Sequence, residues 1–204
     1  MIKTWTVATS NSGKYKEFVN FLGAHLNLIS MEKKNIQGAD EPHNTFIENA
    51  LHKARHVSKI TKSAVLADDS GLVVEALNGS PGVMSARFFQ GKTNLNRDKA
   101  NNDKLLKCMS LFHDSKERSA YFVSVLVGLS SHIDPCPAIA IGIWHGQILF
   151  ECLGNNGHGY DPVFFCPVAN KSAAQMSLNE KEKYSHRGIA LNQILPQLIR
   201  KNSQ

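Results

Sequence analysis

Two long runs rich in β-branched and aromatic residues, Arg118–Ser130 and Ala138–Leu149, stand a short turn apart and constrain the fold more than any other feature. Read as strands, they extend about 40 Å each at about 3.3 Å per residue. The intervening His132–Pro137 holds Asp134, Pro135 and Pro137, which suits a turn that pairs the two strands antiparallel. His145-Gly146 marks a possible further hairpin inside the second run. Elsewhere strands and helices alternate. Thr4–Ala8 reads as a first strand, Lys14–Leu22 as a helix with Phe18, Phe21 and Leu22 at helical spacing, and Leu26–Ser30 as a short second strand. Thr45-Phe46-Ile47-Glu48 has the capping-box pattern, and Phe46, Ala50, Ala54 and Val57 predict a helix to about Ile60. Ala64–Ala67 is a short apolar strand that stops at Asp68-Asp69-Ser70-Gly71. Asn94–Phe112 reads as a helix and Val163–Phe165 as a short strand. Ser177–Glu180 repeats the capping box, and Ile189–Ile199 is an amphipathic helix that Pro196 should kink or end. The expected class is α/β, with a central mixed β-sheet and flanking helices.

The 204 residues suit one domain spanning 1–204. With 42% apolar and 20% charged residues the chain is globular rather than disordered. No apolar run reaches the roughly 18–20 residues of a membrane span, and the N-terminal residues lack a signal peptide's apolar core. A cytoplasmic protein is expected. Cys108, Cys136, Cys152 and Cys166 have no C-x-x-C spacing, and no function is assigned to them. The formal charge of +6 fits a basic nucleic-acid-binding protein or, equally, a pocket for a polyanionic triphosphate.

Five segments carry candidate chemistry. Thr9-Ser10-Asn11-Ser12-Gly13-Lys14 joins a strand to a helix start, where backbone N–H groups, the helix dipole and a lysine can cradle phosphate. It is not a Walker A loop, because Ala8 stands where the first glycine is needed and Tyr15 follows the lysine. Asp68-Asp69 places two carboxylates side by side at a strand end, which is costly without a cation; magnesium takes carboxylates together with phosphate oxygens and water. Asp40 and Glu41 precede the capped helix, and either adds a metal ligand or simply complements the helix dipole. Gly154–Pro162 sets His158, Tyr160 and Asp161 among three glycines, a pattern for close approach to a flat ligand. Lys181 and Ser185-His186-Arg187-Gly188 precede the last helix, and the Arg187 fork can chelate phosphate or donate to a purine carbonyl.

Taken together, the pieces ATSNSGK, TFIENALHKA, LADDSGL, ALNGSPGVMSAR, GHGYDPVFF and SHRG, in this order from residue 7 to residue 188, resemble the inosine triphosphate pyrophosphatase family, the non-standard purine nucleoside triphosphate pyrophosphatases. The resemblance implies an elongated fold with two lobes around a nucleotide cleft, a homodimer, and magnesium-dependent release of pyrophosphate from ITP, dITP or XTP. It implies phosphate contacts from Thr9–Lys14, and a magnesium ligand and proton acceptor at Asp69 beside Asp68. It also places substrate contact at Ser70 and a second metal-site carboxylate at Asp40. Base recognition and phosphate contact fall to His158, Gly159, Tyr160, Asp161, Lys181, His186 and Arg187. Three residues depart from the family pattern: Ser10 stands for a glycine, His158 for a phenylalanine and Asp40 for a glutamate.

Overall fold

The computed structural model describes residues 3–92 and 96–202. Seven strands, β1 (Thr4–Ala8), β2 (Asn27–Ser30), β3 (Ala64–Val74), β4 (Ser119–Leu129), β5 (Ala138–Ile148), β6 (Phe164–Cys166) and β7 (Lys171–Ser172), form one sheet in the order β2-β1-β3-β4-β5-β6-β7. Strand β1 pairs in parallel with β2 and β3, whereas β6 pairs antiparallel with β5 and β7. The sheet is therefore mixed, as expected. Five α-helices accompany it among the described residues: α1 (Ser12–Leu22), α2 (Phe46–Thr61), α3 (Arg97–Cys108), α4 (Leu178–Tyr184) and α5 (His186–Asn202). The expected start of the third helix at Asn94 lies outside the described residues. No described helix is long and apolar enough to cross a membrane.

The chain divides into two compact units. The first holds the chain up to Asp69, Ser124–Gly142 and everything from His186 onward; the second holds Ser70–Val123 and Ile143–Ser185. The first unit's core gathers Trp5, Val7 and Leu66 from strands with Phe18 and Leu22 of α1 and Leu191, Ile194 and Leu198 of α5. The second unit's core is built on Leu72, Leu105, Met109, Phe122, Trp144 and Phe164. There the Phe164 ring packs 4.6 Å from Phe122 and 4.8 Å from Trp144, centroid to centroid, within the range where aromatic pairs add to simple burial.

Local chemistry sets the helix starts. Asn11 caps α1 by accepting from the Lys14 N–H at 3.0 Å. Thr45 caps α2, accepting from the Glu48 N–H at 3.3 Å while its hydroxyl donates to the Glu48 carboxylate at 2.6 Å. Ser177 and Glu180 complete a reciprocal capping box on α4.

Three expectations are corrected. Strand β3 does not stop at Ala67 but runs eleven residues through Asp68-Asp69-Ser70-Gly71 to Val74; tertiary partners neutralise carboxylates that locally read as a turn. His145-Gly146 makes no hairpin, and β5 continues to Ile148. Gly146 is there because a Cβ would lie 2.5 Å from Phe164 Cζ, so the glycine admits close packing rather than reversing the chain. Helix α5 runs past Pro196 to Asn202. Pro196 and Asn192, whose carbonyl loses its usual donor, are both exposed, while Leu191, Ile194 and Leu198 anchor the helix on either side of the proline.

The first turn of α5 lies directly on β5 at Gly142. A Cβ at that position would strike the His186 carbonyl oxygen and come within 2.7 Å of the Ala190 nitrogen. Both obstacles are backbone and cannot rotate away, so overpacking is severe. Gly142→Ala should lower stability by about 3 kcal/mol in urea unfolding followed by circular dichroism. Gly38→Ala, whose methyl would meet only Met31 Cε at 3.4 Å, serves as the control and should stay within about 1 kcal/mol of the parent.

Candidate active site

Successive residues of a strand point to opposite faces of a sheet, and β3 uses this to separate two adjacent acids. Asp68 shares its parity with Ala64 and Leu66, which join the core formed with α1 and α5. Its side chain is fully buried and lies 2.5 Å from Lys14 Nζ. Ser124 Oγ donates to Asp68 Oδ1 at 2.6 Å, and Arg187 Nε stands 3.6 Å from the same oxygen. Burial alone would raise this carboxyl, but Lys14, Arg187 and the hydroxyl outweigh it and hold Asp68 well below the usual carboxylate range. Burial also pulls the Lys14 ammonium down, against the attraction of Asp68. Arg187 makes a second ion pair with Glu17 of α1. His186 is buried beside it, and burial followed by the Arg187 charge pushes its imidazole well below its ordinary value, so the ring is neutral at pH 7.

Asp69 points the other way, toward α2. Lys53 Nζ lies 2.8 Å from Asp69 Oδ1 and 2.9 Å from Glu41 Oε1, bridging the two carboxylates. Burial pushes the Asp69 carboxyl up, and the Lys53 ammonium only partly offsets this. Burial pulls Lys53 down, but the two carboxylates overcome it and the ammonium is held above its ordinary value. Asp69 Oδ2 is buried with no hydrogen-bond partner. An acceptor left in that state costs about 1–3 kcal/mol, a cost that an incoming donor or cation would relieve. Among the described residues no group of three or more His, Cys, Asp or Glu forms a metal cage. Asp69 and Glu41 are carboxylates of the kind magnesium takes when substrate oxygens and water fill the rest of its shell, and Lys53 is the cation they share in this structure.

In the second unit, the loop carrying His158 is held from several sides. Asp161 Oδ2 accepts from Lys181 Nζ at 2.6 Å and from the His158 N–H at 2.9 Å. A side chain at Gly157, where φ is +85°, would collide with both members of that ion pair. The Tyr160 hydroxyl donates to the Ser85 carbonyl at 2.8 Å, and Ser85 Oγ accepts from the Leu72 N–H of β3 at 2.9 Å. Burial, with Asp98 nearby, keeps the Tyr160 phenol above its ordinary pKa and protonated.

Of the residues singled out in sequence, Lys14, Asp68, Asp69, His186 and Arg187 come together in the first unit. Thr9 and Asn11 shape the turn into α1, with Thr9 Oγ1 accepting from the Asn11 N–H at 3.2 Å; Ser10 and Ser12 are exposed and Gly13 half-buried. His158, Gly159, Tyr160, Asp161 and Lys181 gather in the second unit, to which the half-buried Ser70 also belongs. Asp40, expected at the metal position, is exposed, and its neighbour Glu41 is the carboxylate that reaches Lys53. Lys53, Glu17 and Ser124 were not anticipated. The signal for Lys53 was present: it follows Ala50 by three positions on the buried stripe of α2, and a lysine there needs a counter-charge.

Comparison with known proteins gives this geometry a context. Residues 5–197 match the model of the Ham1 family. The chain is 42% identical over 193 residues to the dITP/XTP pyrophosphatase of Bordetella pertussis, covering 94% of this chain and 89% of that protein. It is 44% identical over 202 residues to the dITP/XTP pyrophosphatase of Idiomarina loihiensis, covering 97% and 98% respectively. Its fold matches the solved structure of a HAM1 protein from Coxiella burnetii with a TM-score of 0.87 at 38% identity, covering 98% of this chain and all of that one. A match of this breadth in sequence and fold establishes that the chain belongs to the Ham1 family.

Proposed function

We propose that the protein hydrolyses non-standard purine nucleoside triphosphates, ITP, dITP and XTP, to the nucleoside monophosphate and pyrophosphate, and so clears them from the nucleotide pool. The dITP/XTP pyrophosphatases to which the chain is similar support this substrate class. The observation that carries the reading is the Asp68–Asp69 pair, in which one acid is locked in an ion pair and the other keeps a buried oxygen unsatisfied. A carboxylate repels phosphate and so does not suit a simple phosphate binder, whereas a hydrolase can use it as a base or as a metal ligand.

Asp68 is the poor base of the two, because Lys14, Ser124 and Arg187 stabilise its ionised form. Asp69, held up by burial, is the better proton acceptor of the two. In the proposed step, water attacks the α phosphorus while Asp69 takes its proton. A P–O bond to the water oxygen forms, the α–β bridging bond breaks, and its electron pair leaves with pyrophosphate. Lys14 and the N-terminal turn Thr9–Gly13 hold phosphate oxygens, with the α1 dipole adding to the attraction. Magnesium would be held by Asp69 with a second carboxylate from Asp40 or Glu41, and would add neutralisation of phosphate charge. Little covalent chemistry is asked of the protein, so positioning and preorganised charge dominate.

Ser70, His158, Gly159, Tyr160, Asp161, Lys181, His186 and Arg187 are assigned to substrate contact, with donors from His186, Arg187 or backbone N–H groups at the purine six-position. Inosine and xanthosine carry a carbonyl there, adenosine an amino group. Donors aimed at that position leave an unmatched pair against adenine, which discriminates strongly. A homodimer in the cytoplasm completes the reading, and light scattering on the purified protein tests its stoichiometry.

In a pyrophosphate-release assay, kcat/KM for ITP, dITP and XTP should exceed that for ATP by about 100-fold, and chelation of magnesium should abolish turnover; equal rates on ITP and ATP would falsify the assigned selectivity. Asp69→Asn should cut kcat by about 1000-fold while the protein remains folded by circular dichroism, Lys53 keeping Glu41 as its counter-charge. The pH profile gives an independent check. Activity requires ionised Asp69, so kcat/KM should fall on acidification with a midpoint above the ordinary aspartate pKa of about 3.9. Removing the ammonium that favours ionisation, in Lys53→Gln, should move that acid limb to higher pH; an unmoved or lowered limb would assign the proton to another group.

A further inference from the structure

We propose that Asp98 and Asn102 of α3 are positioning residues that clamp the Gly159 peptide and thereby fix the ring of His158. This rests on the base-recognition role assigned to that loop above. Gly159 adopts a left-handed conformation with φ +62°, yet a Cβ there would meet nothing within 4 Å. Crowding therefore does not impose this shape. Hydrogen bonds do. Asp98 Oδ2 accepts from the Gly159 N–H at 2.7 Å, and Asn102 Nδ2 donates to the Gly159 carbonyl at 2.9 Å. A spacing of four residues puts both side chains on one face of the helix, so a single rigid element grips one residue by its donor and its acceptor.

The helix is itself well seated. Leu105, one turn beyond Asn102, and Met109 are buried in the second unit's core. Asp98 lies in the first turn, where the Asn96 side chain accepts from its N–H at 2.8 Å. Asn102 is 4% exposed, and its Oδ1 has no hydrogen-bond partner. A buried amide with half its capacity unmet is a poor choice for stability alone. Its donor end, directed at Gly159, accounts for its presence.

The clamp leaves the neighbouring side chain to be set by its backbone. The His158 N–H is already taken by Asp161, and Tyr160 is tethered to Ser85. With Gly159 gripped between them, the backbone that carries the His158 ring is held on both sides. Binding of a purine then requires no ordering of the loop, and that saving appears in affinity rather than in the chemical step.

The test compares the unaltered protein with Asp98→Ala, Asp98→Asn and Asn102→Asp, reading ITP kinetics and hydrogen–deuterium exchange across residues 154–161. Asp98→Ala and Asn102→Asp should raise KM for ITP about tenfold with kcat changed less than about twofold, and should speed exchange in the loop while the core of α3 stays protected. Asp98→Asn should restore much of the KM, because its amide oxygen still accepts from Gly159. Faster exchange with unchanged KM, unchanged exchange in the variants, or a loss of kcat that merely follows thermal stability would each overturn the proposal. Should the unaltered protein fail to release pyrophosphate from ITP, the substrate reading falls instead, and exchange alone then decides whether the clamp positions the loop.

Discussion

Two carboxylates adjacent in sequence, both buried, would ordinarily destabilise a strand, and the architecture is organised around making them tolerable. Strand alternation sends Asp68 and Asp69 to opposite faces of β3, and a different helix answers each: α1 brings Lys14 to one, α2 brings Lys53 to the other. The positions of both helices thus follow from charge as much as from apolar packing. Asp68 is closed off further by Ser124 of β4 and by Arg187 at the start of α5. Asp69 is not closed off in the same way, since its Oδ2 is buried without a hydrogen-bond partner.

The same arrangement explains why net charge was a weak guide. A formal +6 invites thoughts of nucleic acid, but lysines that matter most here are spent on internal pairs. Lys14, Lys53 and Lys181 each lie within 3 Å of a carboxylate oxygen, and Arg187 is paired with Glu17. Pairs with so little exposure are high-stakes elements: removing one partner leaves a buried charge, at a cost of about 3–5 kcal/mol. Their value lies in fixed geometry more than in net stability.

Much of the fold was legible because local signals and tertiary structure agreed. Capping boxes at Thr45 and Ser177, helical spacing along α2, and the β-branched runs of β4 and β5 all led to elements within a few residues of those observed. The failures occur where a distant contact overrides a local signal. Asp-Asp-Ser-Gly reads as a turn until the lysines that neutralise it are in place. Gly146 reads as a reversal until the Phe164 ring packs on it, and Pro196 reads as a stop until the core holds both halves of α5. The candidate site follows the same rule. Lys14, Asp68 and Asp69 stand in short motifs and could be named from them. The Lys53 bridge spans sixteen residues, and the grip of Asp98 on Gly159 spans sixty-one; the stripe of α2 marks Lys53 as needing a counter-charge, but no local pattern names the partner in either case.

Gly157 and Gly159 together make the His158 segment a frame whose form depends on main chain and on residues other than 158. One glycine is compelled by the ion pair beneath it, and the other is held by α3. The shape of this segment is therefore secured from its flanks, so its rigidity is inherited from α3 and from the Asp161–Lys181 pair.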